Sequence, residues 1–522
     1  MAYPLVVAAT ALLIALSQLS AREFSVVAYN VENLFDLDGI AAYSDYTPAK
    51  YTPDHLRVKL ENITRSLSKI DAPRGADVVI FNEIEIDQTP DSSVKNLRLW
   101  LESVKNTSFQ DLLKKTPLPG DLEGLPAEAW LLKACEDAGL KGYHVATAGE
   151  KPGTYSSERS RSVQNVIFSR FPIVSTKIIP SSDARAILEA QLDIDGHPLT
   201  VFANHWKSGA GDHQSEAIRI RDANALRQRI DQILEKNPLA DIIVAGDLNS
   251  HYNQSSRYPK MGKTAVNHVL GAQGSELSLL NGSRDLYNLW FELPAKNRGS
   301  DTYGNEWGTL MHLIVSPGLY DNSGLQYMDN SFQVHRVPGM NADVFGRPQR
   351  WSRGKKASGF SDHFPIVAKF RVANPKMHAK WMDLENPSAV EEASGEPVPV
   401  ISSAELFKSA VNPANEPVDA DFRNETYAGR IFLVDAPATM NAKGHISVEI
   451  NGHAYDVFTH NEDLRKRLRE EVGKTSRLHF YGQLGTYRGR WQFMLHGKEW
   501  LVSKPSSRII DSIRKLLATS SS

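Results

Sequence analysis

Five apolar runs in this chain each border a residue able to bind a metal or move a proton, which limits the fold more than any other feature. Phe24-Ser-Val-Val-Ala-Tyr leads to Asn30 and Asn33, and Asp77-Val-Val-Ile-Phe leads to Asn82-Glu83. Leu199-Thr-Val-Phe-Ala ends in Asn204-His205, and Asp241-Ile-Ile-Val-Ala ends in Gly246-Asp247-Leu-Asn249. The fifth run, Phe364 to Phe370, starts directly after Ser361-Asp362-His363. Short apolar runs of this kind read as buried strands. Strands that each carry such a residue at one end converge on one rim of a sheet scaffold.

Helical spacing joins them. Leu56, Leu60, Ile63, Leu67 and Ile70 predict a helix over 54–70, and Ser215 is the expected cap of another reaching Leu234. Residues 88–140 read as a mostly helical insertion, and further strands are expected at 164–170 and 310–316. From about 374 to 400 the pattern gives way to a Pro-, Asn- and Glu-rich linker. Beyond it, strands near 429–434, 445–450, 453–458, 478–484 and 490–495, with one helix after the third, predict a small Greek-key barrel of the oligonucleotide-binding type.

A chain of 522 residues is long for one core, and a net charge of −2 names no partner. Its single cysteine, Cys135, excludes an internal disulfide framework and a cysteine metal cage. The first 21 residues carry an apolar stretch followed by Ser17-Gln-Leu-Ser-Ala21, as a signal peptide does, so a secreted or periplasmic protein is expected. The apolar stretch is short for spanning a bilayer, and stable membrane insertion is not expected.

The bordering residues suit phosphodiester hydrolysis. That reaction needs a cation on the phosphate, a base for water, and donors for the charge that develops on oxygen. Glu83 and Asp362 are the best oxygen ligands, and Asn30 can ligate or orient one of them. Such hard donors suit magnesium or manganese, with calcium as a third choice. His205 and His363 can transfer protons or contact phosphate. Asp247 can orient or deprotonate water, and the Asn249 amide can donate to a phosphate oxygen.

Taken together, Tyr29-Asn30-Val-Glu-Asn33-Leu, Phe81-Asn82-Glu83-Ile, Asn204-His205-Trp-Lys-Ser, Gly246-Asp247-Leu-Asn249 and Gly359-Phe-Ser361-Asp362-His363-Phe-Pro-Ile resemble the motifs of the endonuclease/exonuclease/phosphatase superfamily, in order, over about 24–372. The resemblance implies a four-layer α/β sandwich with two central mixed sheets. It implies that Glu83, Asn30 and Asp362 hold the metal, that His363 is general base or transition-state contact, and that His205 contacts the scissile phosphate. Asp247 and Asn249 would position water and phosphate. Where the family carries an aspartate supporting the terminal histidine, register puts Met311; Asp301, Glu306 and His312 are the substitutes at hand.

The expected organisation is a signal peptide (1–21), a catalytic domain (22–373), a linker (374–400) and a barrel domain (401–522). Residues 461–522 hold 13 Lys/Arg against 6 Asp/Glu, a local excess of seven. Tyr487, Arg488, Arg490 and Trp491 interleave rings with charge, a composition suited to stacking on bases while tracking phosphates. The expectation is a metal-dependent endonuclease acting on DNA, with RNA as a further substrate. A phosphatase or phospholipase C-type hydrolase, and a catalytically degenerate nucleic-acid binder, are the alternatives.

Overall fold

The structure is a computed structural model that describes residues 22–87, 94, 96–115, 118, 122, 124–149, 162–181, 183–281, 284–354, 357–373, 379–390, 392–487 and 489–502. The signal-peptide stretch 1–21 and Arg488 lie outside the described residues. The chain divides into two compact units, residues 1–341 with 347–399, and residues 342–346 with 400–522.

The first unit is built on two mixed sheets. One contains β1 (Glu23–Leu34), β2 (Val78–Glu85), β3 (His144–Thr147), β4 (Val163–Ser169), β14 (Leu325–Tyr327), β15 (Gln333–Val334) and β16 (Ile366–Val372), with the path β14-β16-β1-β2-β4-β3. The other runs β5 (Ile173–Ile179), β6 (Ile187–Ile194), β7 (His197–His205), β8 (Ile242–Asp247), β13 (Met311–Val315), β10 (Leu286–Asn288) and β9 (Ala272–Gln273). A separate ribbon pairs β11 (Asp301–Tyr303) with β12 (Glu306–Gly308). The parallel pairs β1–β2 and β7–β8 each need a crossover, supplied by the helices Pro53–Leu67 and His213–Lys236.

Alternation along each strand makes the layers. Val26, Ala28, Val78 and Ile80 face Val201, Ala203, Ile243 and Ala245 in a core between the sheets. The opposite rows, Val27, Tyr29, Val79 and Phe81, pack on Leu56, Leu60, Ile63 and Trp130. On the far side Phe202 and Val244 pack on Leu226, Ile230 and Leu234. Helix, sheet, sheet, helix is the four-layer sandwich that was expected. The long helix is capped by Asp212, whose side chain accepts from Ser215 N (2.9 Å), so the cap precedes the expected Ser215.

The inward rows carry on past the core. One period beyond Ala28, Ile80, Ala203 and Ala245 stand Asn30, Asn82, His205 and Asp247, so packing and chemistry share one set of faces. Asn82 joins the sheets below the rim. Its Nδ2 donates to Asn165 Oδ1 (2.8 Å) and to Asn204 O (2.9 Å), while its Oδ1 accepts from Asp247 N (2.9 Å). Gly246, at φ +116°, is required beside it, because a Cβ there would sit 2.1 Å from Asn204 O.

Residues 379–390 and 392–399, in the stretch expected as a linker, run against the first unit. Met382 and Trp381 pack on the inter-sheet core, and Trp307 N donates to Val398 O (2.8 Å). In the second unit, β17 (Ile431–Met440), β18 (Ile446–Ile450), β19 (His453–Phe458), β20 (Arg477–Tyr487) and β21 (Arg490–Met494) close a barrel in the order β17-β18-β19-β21-β20. Asn451 and Gly452, both at positive φ, make the β18–β19 turn. Asn461 caps the helix Glu462–Thr475 through Leu464 N (3.0 Å), which buries Leu464, Leu468 and Val472. Among the described residues no helix is long and apolar enough to cross a membrane.

Asn82→Ala removes three buried hydrogen bonds and leaves Asp247 N without its acceptor. It should lower unfolding free energy in denaturant titration by about 1–3 kcal/mol per unsatisfied group, whereas an exposed-site control such as Asn224→Ala stays within about 0.5 kcal/mol.

Candidate active site

Backbone irregularity aims the carboxylates. β2 slips register against β4 between Phe81 and Ile84, and Glu83 there adopts φ +66°. The bulge lets Glu83 and its neighbour Asn82 both serve the rim, which a regular strand forbids. Asn249 takes φ +48° after β8, and its N donates to Asp247 Oδ1 (2.9 Å) while its Nδ2 donates to Trp206 O (3.0 Å).

Asn30 is the hub. Its Nδ2 donates to Glu83 Oε1 (3.0 Å) and Asp247 Oδ2 (3.0 Å), and its Oδ1 accepts from Glu32 N (2.9 Å). The amide thus orients two carboxylates, with one lone pair of the oxygen engaged by backbone. Both histidines flank Asp247 Oδ2, His205 Nε2 at 3.7 Å and His363 Nε2 at 3.6 Å. His205 Nε2 is 3.9 Å from Glu83 Oε1, and His363 Nε2 is 3.8 Å from Asp362 Oδ1. Ser361 Oγ donates to Asn30 O (2.7 Å) and accepts from His363 N (3.1 Å), fastening the last motif to the first. All seven residues expected to form the catalytic and metal set therefore lie in one cluster.

The two histidines are driven apart. Burial, helped by Arg185 and His363, pushes His205 well below the ordinary imidazole range, so it is neutral. Burial works against charge on His363 as well, but Asp362, Asp247, Asp301 and Glu83 raise it to about 9. Burial and the Asp362 charge raise Glu83 above the usual carboxylate range, with Arg185, Asn30 and His363 opposing. Glu83 and Asp362 keep side-chain exposures of 17% and 31%, so both reach the open side of the cluster. Two hard, mutually repelling carboxylates beside an orienting amide, with no thiol near, fit a divalent cation.

Four neighbours complete the surroundings; Arg350, Arg185 and Lys59 were not singled out as functional in the sequence, whereas Asp301 is one of the three substitutes at hand for the aspartate that Met311 displaces. Arg350 donates to Glu32 Oε1 and to Asp362 Oδ2 (3.1 Å). It arrives there because Phe360 N and Ser361 N both donate to Gln349 O, an approach so close that a Cβ on Gly359 would lie 1.8 Å from Arg350 O. Arg185 donates to Trp206 O (3.3 Å) and acts on Glu83 and His205. Lys59 is fully buried, donates to Glu32 O and Phe360 O, and is pulled down to about 7 by burial. Their charges were visible, but no local periodicity ties the loop residues Arg350 and Arg185 to a strand rim, and Lys59 reaches it from the buried face of the helix Pro53–Leu67.

The fourth is Asp301. Met311 pairs with Asp247 across β13 and β8, so it occupies the expected place and offers no strong acceptor. His312 is spent on Asn288 Nδ2 and Ser250 O, and Glu306 pairs with Arg257. Asp301 bridges His363 through the backbone, is buried, and acts on its imidazole. Ser300 Oγ and Leu310 N hold its Oδ1, and Gly308 makes room, since a Cβ there would lie 2.0 Å from Oδ2. Asp301 thus supplies a carboxylate charge near the His363 imidazole, whose Nδ1 itself has no hydrogen-bond partner among the described residues.

The barrel residues fall differently. In the β20–β21 hairpin Thr486 pairs with Trp491 and Tyr487 with Arg490, which puts Tyr487 and Trp491 on opposite faces. Trp491 turns toward the barrel core, whereas Tyr487 is exposed. Arg490 Nη2 donates to Asp456 Oδ1 (2.9 Å). Tyr481 stacks on Phe407 at 3.8 Å, and Phe493 is core.

A rim of hard carboxylates, an orienting amide and two histidines, one neutral and one cationic, set between two sheets, has the chemical make-up that phosphoester hydrolysis needs. Residues 160–372 match the model of the Endonuclease/Exonuclease/phosphatase family, so the resemblance drawn from the motifs holds. The match includes His205, Asp247, Asn249, Asp362 and His363; Asn30 and Glu83 lie upstream and reach the site through the pairing of β1 with β16 and β2. No curated protein sequence matches the chain. Among solved structures it is similar to truncated TDP2 of Caenorhabditis elegans, at 14% identity over 68% of this chain and 99% of that one, TM-score 0.37. A family protein from Bacteroides thetaiotaomicron is 14% identical over 70% and 99%, TM-score 0.38. TDP2 of D. rerio, complexed with a single strand DNA product, is 14% identical over 67% and 98%, TM-score 0.34.

Asp301→Asn should move the His363 imidazole from about 9 toward its ordinary value near 6.5, read by NMR titration of metal-free protein. A raised histidine stabilises the fold below its unfolded value, and that contribution is lost as pH rises through about 9. The substitution should therefore cost more stability at pH 6 than at pH 10, and lower kcat more than it changes KM.

Proposed function

We propose that the chain is a divalent-metal-dependent phosphodiesterase that cuts nucleic acid, DNA in the first place. The observation carrying the reading is Asp247 held between a neutral His205 and a cationic His363, with Glu83 and Asp362 on the same rim. Glu83 and Asp362, with Asn30 beside them, would hold a magnesium or manganese ion, which supplies positive charge for the phosphate oxygens.

The chain's own residues do the rest. Asp247, fixed by Asn30 Nδ2 and Asn249 N, has its oxygens aimed to orient water and accept its proton. His363, protonated at neutral pH, donates to a phosphate oxygen and offsets charge gained in the transition state. Neutral His205 is a second contact for the scissile phosphate. Asn249 adds an amide once substrate displaces its bond to Trp206 O. Arg350 is placed to leave Asp362 for a phosphate as the metal binds. Met311 supports the degenerate-binder reading, and the position of Asp301 favours retained turnover.

Plasmid nicking should vanish in excess chelator and return with magnesium or manganese. Glu83→Gln should reduce turnover by at least about a hundredfold with unchanged circular dichroism. Full activity in chelator contradicts the reading, and turnover of phospholipid without any of DNA moves the substrate to the lipid class.

For the barrel, the strand order and the basic excess support an oligonucleotide-binding role. Tyr487→Ala should keep the barrel folded and weaken single-stranded DNA binding by about 1–3 kcal/mol in fluorescence anisotropy. Trp491→Ala should destabilise the barrel instead. Unchanged binding in Tyr487→Ala withdraws the hairpin from the interface. The apolar start followed by small residues supports export, with Arg22 as the first mature residue in N-terminal sequencing of secreted protein.

A further inference from the structure

Three carboxylates converge in the first unit away from the phosphoester site. Glu276 opens the short helix Glu276–Leu280, Glu292 ends the turn Leu289–Glu292 after β10, and Asp329 follows β14. One oxygen from each lies within 4.8 Å of the other two. Tyr287 in β10 pairs with Val315, at the opposite end of β13 from Met311, which pairs with Asp247. Four residues of strand, about 13 Å, separate these two positions.

Much of the cluster is already ordered by neutral donors. Tyr320 Oη donates to Glu276 Oε1 (3.0 Å), Ser388 N to Glu276 Oε2 (2.8 Å), and Tyr327 Oη to Glu292 Oε2. Two buried polar atoms have no protein partner, Glu292 Oε1 and the hydroxyl of Tyr287. Tyr287 is fully buried, and beyond burial itself the charges that push its hydroxyl up are those of Glu276, Glu292 and Asp329, so it faces the cluster. No lysine, arginine or histidine among the described residues forms an ion pair with the three acids. Arg298, the cation that acts on Tyr287, gives its donors to Leu293 O, Tyr252 Oη and Phe291 O.

Glu276 is buried and Glu292 and Asp329 are half-buried, and carboxylates withdrawn from water without a cation nearby favour taking up protons or binding a metal. Burial raises all three, Glu292 to about 8, which is the response of sites that lack a counter-charge. The donors are all oxygen, and their spacing fits within the span of about 5 Å across which one calcium ion is liganded. Magnesium keeps most of its water and suits a closed cage less well.

We propose that Glu276, Glu292 and Asp329, with the Tyr287 hydroxyl beside them, form a calcium site distinct from the phosphoester centre. Its effect is structural. Ser388 N on Glu276 and the Glu385 backbone on Asp329 link the site to the segment 379–390, so a bound ion would fasten that segment to the sandwich.

The test uses full-length protein carrying Glu83→Gln, stripped with chelator and titrated with calcium while Tm is followed. A saturable rise of several degrees is expected, with a smaller one for magnesium. Asp329→Asn should weaken calcium binding at least tenfold, and Glu292→Gln should remove the rise. Equilibrium dialysis should find one fewer calcium per chain in Glu292→Gln. No rise up to about 10 mM calcium, above the range of weak extracellular sites, overturns the proposal. So does a rise that survives both substitutions, or a Glu292→Gln protein that gains stability while calcium has no effect on its parent.

Discussion

One buried amide sets the geometry on which the centre depends. Asn82 holds Asn165 in its own sheet and Asn204 and Asp247 in the other, so the spacing of two independent sheets is fixed where the chemistry begins. The bonds from Asn30 Nδ2 to Asp247 Oδ2 and from Asn165 Nδ2 to Ala186 O reinforce that tie; the rest of the contact between the sheets is mainly apolar packing, which is non-directional and tolerates sliding. Gly246 belongs to the same constraint, since any side chain there would push β8 from Asn204. Hydrogen bonds to Asn30, Asn82 and Asn249 hold Asp247 on both oxygens and on its backbone N, the kind of support that a group positioning a water within about 0.5 Å needs.

Electrostatics then assign roles that composition alone leaves equal. Two histidines within 4 Å of one aspartate oxygen end in opposite protonation states. His205 has burial and the cations Arg185 and His363 around it; His363 has four carboxylates. The resemblance left His363 open as base or transition-state contact, and its charge favours the second. Asp301 is part of that balance. With Met311 in β13 offering no acceptor, the nearest carboxylate charge from that side comes from the ribbon, where Gly308 leaves the space for Asp301.

The strand ends were legible because packing and chemistry use the same alternating rows. A reader who finds Val26 and Ala28 inward must also find Asn30 inward, and the same holds for Asn82, His205 and Asp247. The barrel was legible through its turn at Asn451-Gly452 and the cap at Asn461. Arg350 and Arg185 were not read as site residues, since loops reach the rim through long-range bonds with no sequence period. Lys59 sits on the buried face of the helix Pro53–Leu67, where a lysine reads as an exception to an apolar row, and Asp301 was legible only as one of three substitutes for the displaced aspartate. The hairpin rings show the converse limit. Tyr487 and Trp491 alternate in composition with arginines, yet cross-strand pairing puts them on opposite faces.

The central claim is that water is delivered to phosphorus by Asp247 within this cluster. Single-turnover cleavage of a DNA oligonucleotide in 18O-labelled water tests it directly. The account predicts one label per cut, carried on the new terminal phosphate, and loss of cleavage in Asp247→Asn with the fold retained. Label absent from the phosphate, or an Asp247→Asn protein that cuts at the parent rate, contradicts it.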